Sequence, residues 1–252
     1  MVEHSAAFDA RILVPMKKRD DEASSWEERA RREPYFPLLA DDDALRVAGS
    51  ENASDAFFET GEDDVAALLA ALSTLFSGDV RLDSVLDYGC GAGRLTLPLA
   101  RRAGHVVACD IAPTVLSHAR QNAERAGLHN ITFHPCDDVT ASAGASFDFI
   151  CSLLVFQYIP PSAGYALIGS LTSRLRGDGV AAFQLRLHGA GALHRLARLG
   201  RRPTAGVQVH RYDEALVIRA VESAGASVVA RLPVANRRAD DAVLIVRRSG
   251  SP

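Results

Sequence analysis

The stretch Ser84-Val85-Leu86-Asp87-Tyr88-Gly89-Cys90-Gly91-Ala92-Gly93-Arg94-Leu95 decides how this chain folds. A short apolar run, Ser84 to Tyr88, ends in glycines, and a helical pattern resumes from Gly93 to Ala103 before Gly104 stops it. This reads as strand, glycine turn, helix. Gly89 and Gly91 let the backbone take positive φ and approach a ligand closely, while Gly93 permits tight packing where the helix begins.

Outward from that unit the same alternation continues. Strands are expected at His105–Cys109, Ile131–His134, Phe147–Leu154 and Val180–Leu187, and helices at Pro113–Ala126 and about Ser162–Leu175. Gly177-Asp178-Gly179 links the last of these helices to its strand. Upstream, Val65, Leu68, Leu69, Leu72, Leu75 and Phe76 fall at helical spacing within Glu62–Phe76. Downstream come a helix at about Asp213–Ala224 and two strands, Ser227–Leu232 and Ala242–Val246, whose short polar link suits an antiparallel hairpin. Repeated βα units specify a parallel sheet covered on both faces, because crossovers are right-handed. The expected fold is therefore α/β: a doubly wound, seven-stranded, mostly parallel sheet with an antiparallel C-terminal hairpin.

Residues 1–60 read as an N-terminal helical extension that packs on the main domain through Trp26, Tyr35 and Phe36, or serves as a lid. Residues 61–252 form the main domain, with a basic insertion over 189–211 carrying Arg195, Arg198, Arg201 and Arg202. With 48% hydrophobic and 23% charged residues, the chain has the composition of a globular protein with a real core. A net charge of −3 offers no positive field for nucleic acid or anionic lipid. No segment reaches the roughly 18 apolar residues of a membrane span, so a cytoplasmic monomer or homodimer is expected. Cys90, Cys109, Cys136 and Cys151 show no metal-type spacing and are expected to be reduced thiols, with no metal site.

Ligands of open parallel sheets bind beyond the carboxyl ends of the strands, which directs attention to the glycine turn. A dinucleotide fingerprint has a third glycine where Arg94 stands here. Asp87, just before the turn, would repel a pyrophosphate but attract an ammonium or sulfonium cation. Asp110 ends the second strand, where a carboxylate can accept both hydroxyls of a ribose. Val85 to Leu95, Val107-Ala108-Cys109-Asp110-Ile111 and Ser146-Phe147-Asp148-Phe149-Ile150 together resemble the first, second and fourth motifs of class I S-adenosylmethionine-dependent methyltransferases. The resemblance is strongest over residues 83–187.

That resemblance implies S-adenosylmethionine as cofactor and S-adenosylhomocysteine as product. It implies that Asp87, Tyr88, Gly89, Cys90, Gly91 and Gly93 surround the amino-acid end of the cofactor, and that Asp110 holds the ribose. Ile111 would pack on adenine, Asp137 or Asp138 would meet its amino group, and Ser152 and Leu153 would complete the cofactor side. Asp148, by the same resemblance, opens its strand structurally. Two rivals stay open: an oxidoreductase using NAD(P), and a non-catalytic cofactor-binding subunit.

The acceptor is expected to be a small molecule, such as a sugar or a natural-product intermediate. Its side of the site is expected at the ends of the fourth and fifth strands, from Phe156, Gln157, Tyr158 and Arg186. Phe156-Gln157-Tyr158-Ile159-Pro160 looks like a Gln-His-Ile-Pro signature of some small-molecule and sugar methyltransferases, with Tyr158 in the place of the histidine. His188, His210 and Tyr158 are the candidate bases. Arginines of the 189–209 stretch offer an alternative: a receptor for an acidic acceptor.

Overall fold

The computed structural model describes residues 16–32, 53–141, 146–188, 208–234 and 240–249. Its seven strands are β1 (Ser84–Tyr88), β2 (His105–Asp110), β3 (Ile131–Pro135), β4 (Phe147–Ser152), β5 (Leu175–Arg186), β6 (Ala226–Pro233) and β7 (Asp241–Arg248). They lie in the order β3-β2-β1-β4-β5-β7-β6. Pairs among β1 to β5 are parallel, and β7 runs antiparallel to both β5 and β6. This is the doubly wound sheet and C-terminal hairpin expected from the alternation.

Helices cover both faces. α1 (Met16–Arg32), α2 (Ala53–Phe76), α3 (Thr96–Ala100), α4 (Pro113–Arg125), α5 (Cys136–Ala141), α6 (Pro161–Thr172) and α7 (Glu214–Ser223) follow in chain order. Alternate residues of each strand feed different cores, as the two-residue pleat requires. Leu86, Ile150, Phe183 and Leu185 meet Ile168 and Leu171 of α6 and Val217 and Val221 of α7 on one face. Val85, Phe149, Cys151 and Ala182 meet Val65, Leu68 and Leu72 of α2 with Leu95 and Leu99 on the other. None of the helices among the described residues is long and apolar enough to cross a membrane.

Three local differences from the sequence reading have physical causes. α2 begins at Ala53 rather than Glu62, so it runs through the expected boundary at residue 60. Gly61 lies within it, and a Cβ there would stand 2.1 Å from the Arg94 carbonyl oxygen, so the glycine serves close packing of α2 on the glycine turn. α3 is shorter than Gly93–Ala103 because Gly93 has φ +97°, outside the helical region. β5 begins at Leu175 rather than Val180, and Gly177-Asp178-Gly179 sits in a bulge, where pairing jumps from Phe147–Leu175 to Phe149–Val180. The 189–207 part of the basic insertion, with its four arginines, lies outside the described residues, as do Tyr35 and Phe36.

Candidate cofactor and acceptor site

The ends of β1, β2 and β4 open on a cavity of about 340 Å³, within the size range of small-molecule sites. Its floor is the glycine turn. Gly89 has φ +78° and Gly91 φ +55°, both in the left-handed region that side chains disfavour. The Gly89 and Cys90 amides both donate to the Cys109 carbonyl oxygen, at 2.8 and 2.9 Å, which ties the turn to the end of β2. A Cβ on Gly89 would meet Cγ2 of Val155 at 2.3 Å, so the turn accepts only glycine against the segment after β4. A Cβ on Gly91 would stand in open space, so packing does not explain this glycine.

Asp110 closes one end. Its Oδ2 accepts from the Gly91 amide and its Oδ1 from the Ala112 amide, both at 3.0 Å, which cross-links the turn to the segment entering α4. Burial raises its carboxyl above the ordinary carboxylate range, against the lowering effect of the Ala112, Gly91 and Ile111 amides. Asp87 is only 1% exposed and accepts from the Thr96 hydroxyl at 2.6 Å. Burial pushes it up to about 6, against the lowering influence of Thr96 and of the Arg94 guanidinium. Arg94 also lines the cavity and donates to Asp64 Oδ2 of α2 at 2.6 Å. The glycine turn is thereby keyed to α2 by charge as well as by the Gly61 contact.

The roof comes from elements distant in sequence. α1 brings Ala23, Trp26 and Ala30, and α2 brings Phe57. The Thr114 amide at the start of α4 donates to Glu27 Oε2 at 3.0 Å, its hydroxyl donates to Oε1, and these bonds hold the Glu27 carboxyl below its ordinary range. Leu154, Val155, Tyr158 and Ile159, around a 3₁₀ turn at Phe156–Tyr158, line the opposite side with Ala163 and Leu167 of α6. Leu154 has φ +65°, a strained conformation for a leucine and of the kind that gathers at functional sites. Tyr212 fixes this wall, because its hydroxyl donates to the carbonyls of Phe156 and Ile159 at 3.0 and 2.8 Å.

Of the residues singled out in the sequence, Asp87, Tyr88, Gly89, Cys90, Gly91, Asp110, Ile111, Asp137, Leu153 and Tyr158 line this cavity. Ile111 is 40% exposed, an apolar side chain left open at its edge. Gly93 lies behind the turn, where a Cβ would strike Leu97. Asp138 is exposed outside the cavity walls, and Ser152 is buried, donating to the Tyr88 carbonyl at 2.9 Å. Asp148 accepts from the Ser84 amide at 2.9 Å and from Arg176 at 3.1 Å, a structural link between neighbouring strands.

Most of the residues expected on the acceptor side lie outside the described cavity wall. Phe156 is fully buried in the core, edge-on to Phe183 at 5.6 Å and Tyr212 at 6.1 Å. Gln157 is buried too, with its carbonyl accepting from the His210 amide at 2.7 Å. Arg186 faces Asp241 across the β5–β7 ladder in a bidentate pair at 2.7 and 3.1 Å, with side chains 5% and 2% exposed. His188 is exposed, and neither it nor His210 lies in the cavity wall. Trp26, Phe57, Arg94 and Val155 were missed as site residues. The aromatic residues of the N-terminal arm were the available signal, and the arm, with Trp26, is expected from sequence as a packed extension or a lid.

Residues 85–179 match a family model described as a methyltransferase domain. Over 70 residues the chain is 47% identical to the 23S rRNA (uracil(1939)-C(5))-methyltransferase RlmD of Klebsiella pneumoniae, covering 27% of this chain and 16% of that protein. Over 127 residues it is 32% identical to the ubiquinone biosynthesis O-methyltransferase of Xylella fastidiosa, covering 46% of this chain and 51% of that protein. The chain thus spans about half or less of the length of these curated relatives. Its fold is similar to that of magnesium protoporphyrin IX methyltransferase from Synechocystis PCC 6803 with bound SAH, with a TM-score of 0.63 and 24% identity over 93% of this chain and 99% of that one.

Proposed function

We propose, from the premise that residues 85–179 are a methyltransferase domain, that this chain binds S-adenosylmethionine in the cavity and methylates a small molecule. The observation that carries the reading is the glycine turn itself. Gly91 takes a left-handed conformation in the cavity wall with open space where a side chain would stand, its amide bonded to Asp110 and Asp87 buried nearby.

The residues present fit the cofactor. Asp87 would face the ammonium, and Arg94 would face the carboxylate, of the amino-acid end. A carboxylate has about four acceptor positions, so Asp110 can keep its two backbone bonds and still receive the ribose hydroxyls. The open face of Ile111 offers an apolar platform for adenine, and Asp137 an acceptor for its amino group. When bound, the cofactor supplies a methyl group activated by a sulfonium. The protein's part is alignment of the acceptor and exclusion of water, which the apolar roof provides.

The net charge of −3 supports a small acceptor over a nucleic acid. An NAD-type dinucleotide is disfavoured, because its pyrophosphate would sit beside Asp87. Titration calorimetry of the full chain with S-adenosylhomocysteine and with NADH tests the cofactor. Saturable binding of the first alone is expected, and binding of NADH alone would overturn the reading. Release of S-adenosylhomocysteine during incubation with S-adenosylmethionine and a small-molecule extract separates an enzyme from a cofactor-binding subunit.

A further inference from the structure

We propose that Cys109 and Cys136 form an oxidisable pair, and that a hydroperoxide joins their sulfurs in a disulfide that weakens cofactor binding. The effect on the cofactor rests on the reading above; the bond itself does not.

The sheet brings the pair together. Cys109 stands one residue before the end of β2, and Cys136 opens α5 directly after β3. Parallel pairing sets Asp110 opposite Pro135, so the two cysteines flank one rung of the β2–β3 ladder. Both are reduced thiols, and the Cys136 thiol donates to the Cys109 sulfur at 3.3 Å. A disulfide needs about 2.0 Å between sulfurs, a short further approach for side chains that already face each other.

Access comes through the cavity. Cys109 is wholly buried, but Cys136 belongs to the cavity wall, where a small neutral peroxide can meet its sulfur. Tyr88, in the same wall, hydrogen-bonds Cys136 and favours its thiolate. Larger influences oppose it: the bond to Cys109, burial, and the charges of Cys109 and Asp110 together hold the Cys136 thiol well above its ordinary range. Burial also raises Cys109, while the bond from Cys136 lowers it. The pair therefore reacts slowly at neutral pH and faster in mild alkali.

The step balances as follows. The Cys136 thiolate attacks one peroxide oxygen, the O–O bond breaks, and a sulfenic acid forms at Cys136. The Cys109 thiolate then attacks that sulfur, and the S–O bond breaks with its electron pair leaving on oxygen. Protons from the two thiols go to the two departing oxygens. Two electrons pass from the thiols to the peroxide, and hydrogen peroxide is reduced to two waters.

Coupling to the cofactor follows from what the two cysteines carry. The Cys109 carbonyl accepts from the Gly89 and Cys90 amides and so holds the glycine turn. Asp110 and Asp137, the carboxylates proposed to meet ribose and adenine, directly follow Cys109 and Cys136 in the chain. Drawing the sulfurs together shifts both nucleoside contacts, and a bound nucleoside in turn covers Cys136.

Full-chain protein at about pH 8.5, near the ordinary cysteine value, is treated with hydrogen peroxide, with and without S-adenosylhomocysteine. Digestion with trypsin and an aspartate-directed protease separates Cys136 from Cys151 for mapping by mass spectrometry. Treated protein is also titrated calorimetrically with S-adenosylhomocysteine before and after reduction with dithiothreitol. We expect a Cys109–Cys136 cross-link, affinity lower by about tenfold or more, and recovery to within about twofold on reduction. S-adenosylhomocysteine present during treatment should slow the cross-link by about tenfold or more. Cys136→Ala should form no such bond, and peroxide should change its own affinity by less than about twofold; if it does not fold, Cys109→Ala decides by the same criterion. Cys151→Ala, whose site belongs to the core on the other face of the sheet, should still form the bond. Oxidation of the two sulfurs to sulfinic or sulfonic acids without a cross-link, a bond to Cys90 instead, or a mapped Cys109–Cys136 bond that leaves affinity unchanged overturns the proposal. Failure of reduced wild-type protein to bind S-adenosylhomocysteine overturns the cofactor reading instead, and the pair is then judged on the cross-link alone.

Discussion

Asp87→Asn separates what this side chain costs the fold from what it contributes to the cofactor. The carboxyl is buried and raised from 3.8 to about 6, with burial as the largest cause. At about 1.4 kcal/mol per pH unit, that rise corresponds to roughly 3 kcal/mol of stability withheld at neutral pH. Asparagine is nearly the same shape, and its carbonyl oxygen can still accept from the Thr96 hydroxyl, now 2.6 Å from Asp87. The variant should therefore be more stable than wild type at about pH 8, by up to about 3 kcal/mol, or about 6–12 °C in Tm for a domain of this size. The sign is set by the raised folded-state value. Protonation favours the wild-type fold, so the gap is full above pH 6, narrows as pH falls through 6, and closes below about 3.8. Calorimetric affinity for S-adenosylhomocysteine should move the other way. It should fall in the variant, and in wild type it should decline below pH 6 as the carboxylate proposed to face the ammonium is neutralised. Thermal unfolding at several pH values, paired with calorimetry, is the assay. An Asp87→Asn variant that is no more stable than wild type at pH 8, or a stability gap that does not change with pH, would refute the argument.

Asp110→Ala removes the acceptor of two backbone amides and of the proposed ribose contact, and should weaken S-adenosylhomocysteine by about tenfold or more with some loss of stability; unchanged calorimetric affinity would remove Asp110 from the site. Gly89→Ala adds a Cβ 2.3 Å from Val155 at φ +78°, and should cost about 2–4 kcal/mol in urea unfolding. Gly91→Ala, with open space around its Cβ, should cost only about 1–2 kcal/mol yet reduce cofactor affinity as strongly. Cys90 and Cys136 line the cavity with their thiols raised, Cys90 by burial and Cys136 by its bond to Cys109 followed by burial. Alkylation followed by mass spectrometry should therefore be slow at neutral pH, accelerate above pH 9, and be suppressed by S-adenosylhomocysteine.

The glycine-turn side of the cavity was legible because its determinants are local. Glycine spacing, an acid just before the turn and an acid at the next strand end all fall within one strand–turn–helix–strand unit, Asp87 to Asp110, and the sheet's periodicity carries them to one edge. Ser152 and Gly93 were placed one position from the wall because a strand alternates faces with each residue and a turn hides the inside of its bend. The wall formed by the segment after β4 was not legible. Phe156 and Tyr158 are two residues apart, yet one enters the core against Phe183 while the other enters the cavity wall. A three-residue 3₁₀ turn has no periodicity long enough to reveal which.

What the sequence by itself determined is the class of fold and the glycine turn flanked by two acids, since βα alternation, right-handed crossovers and a strand–glycine–helix turn leave few arrangements open. The tertiary structure decided the rest. Arg186 became half of a buried pair because β7 brought Asp241 opposite it from 55 residues away. Trp26 became a wall of the cavity because Glu27 reached Thr114 across 87 residues. Burial set Asp87's proton affinity, and no spacing along the chain encodes how much water the folded neighbours exclude.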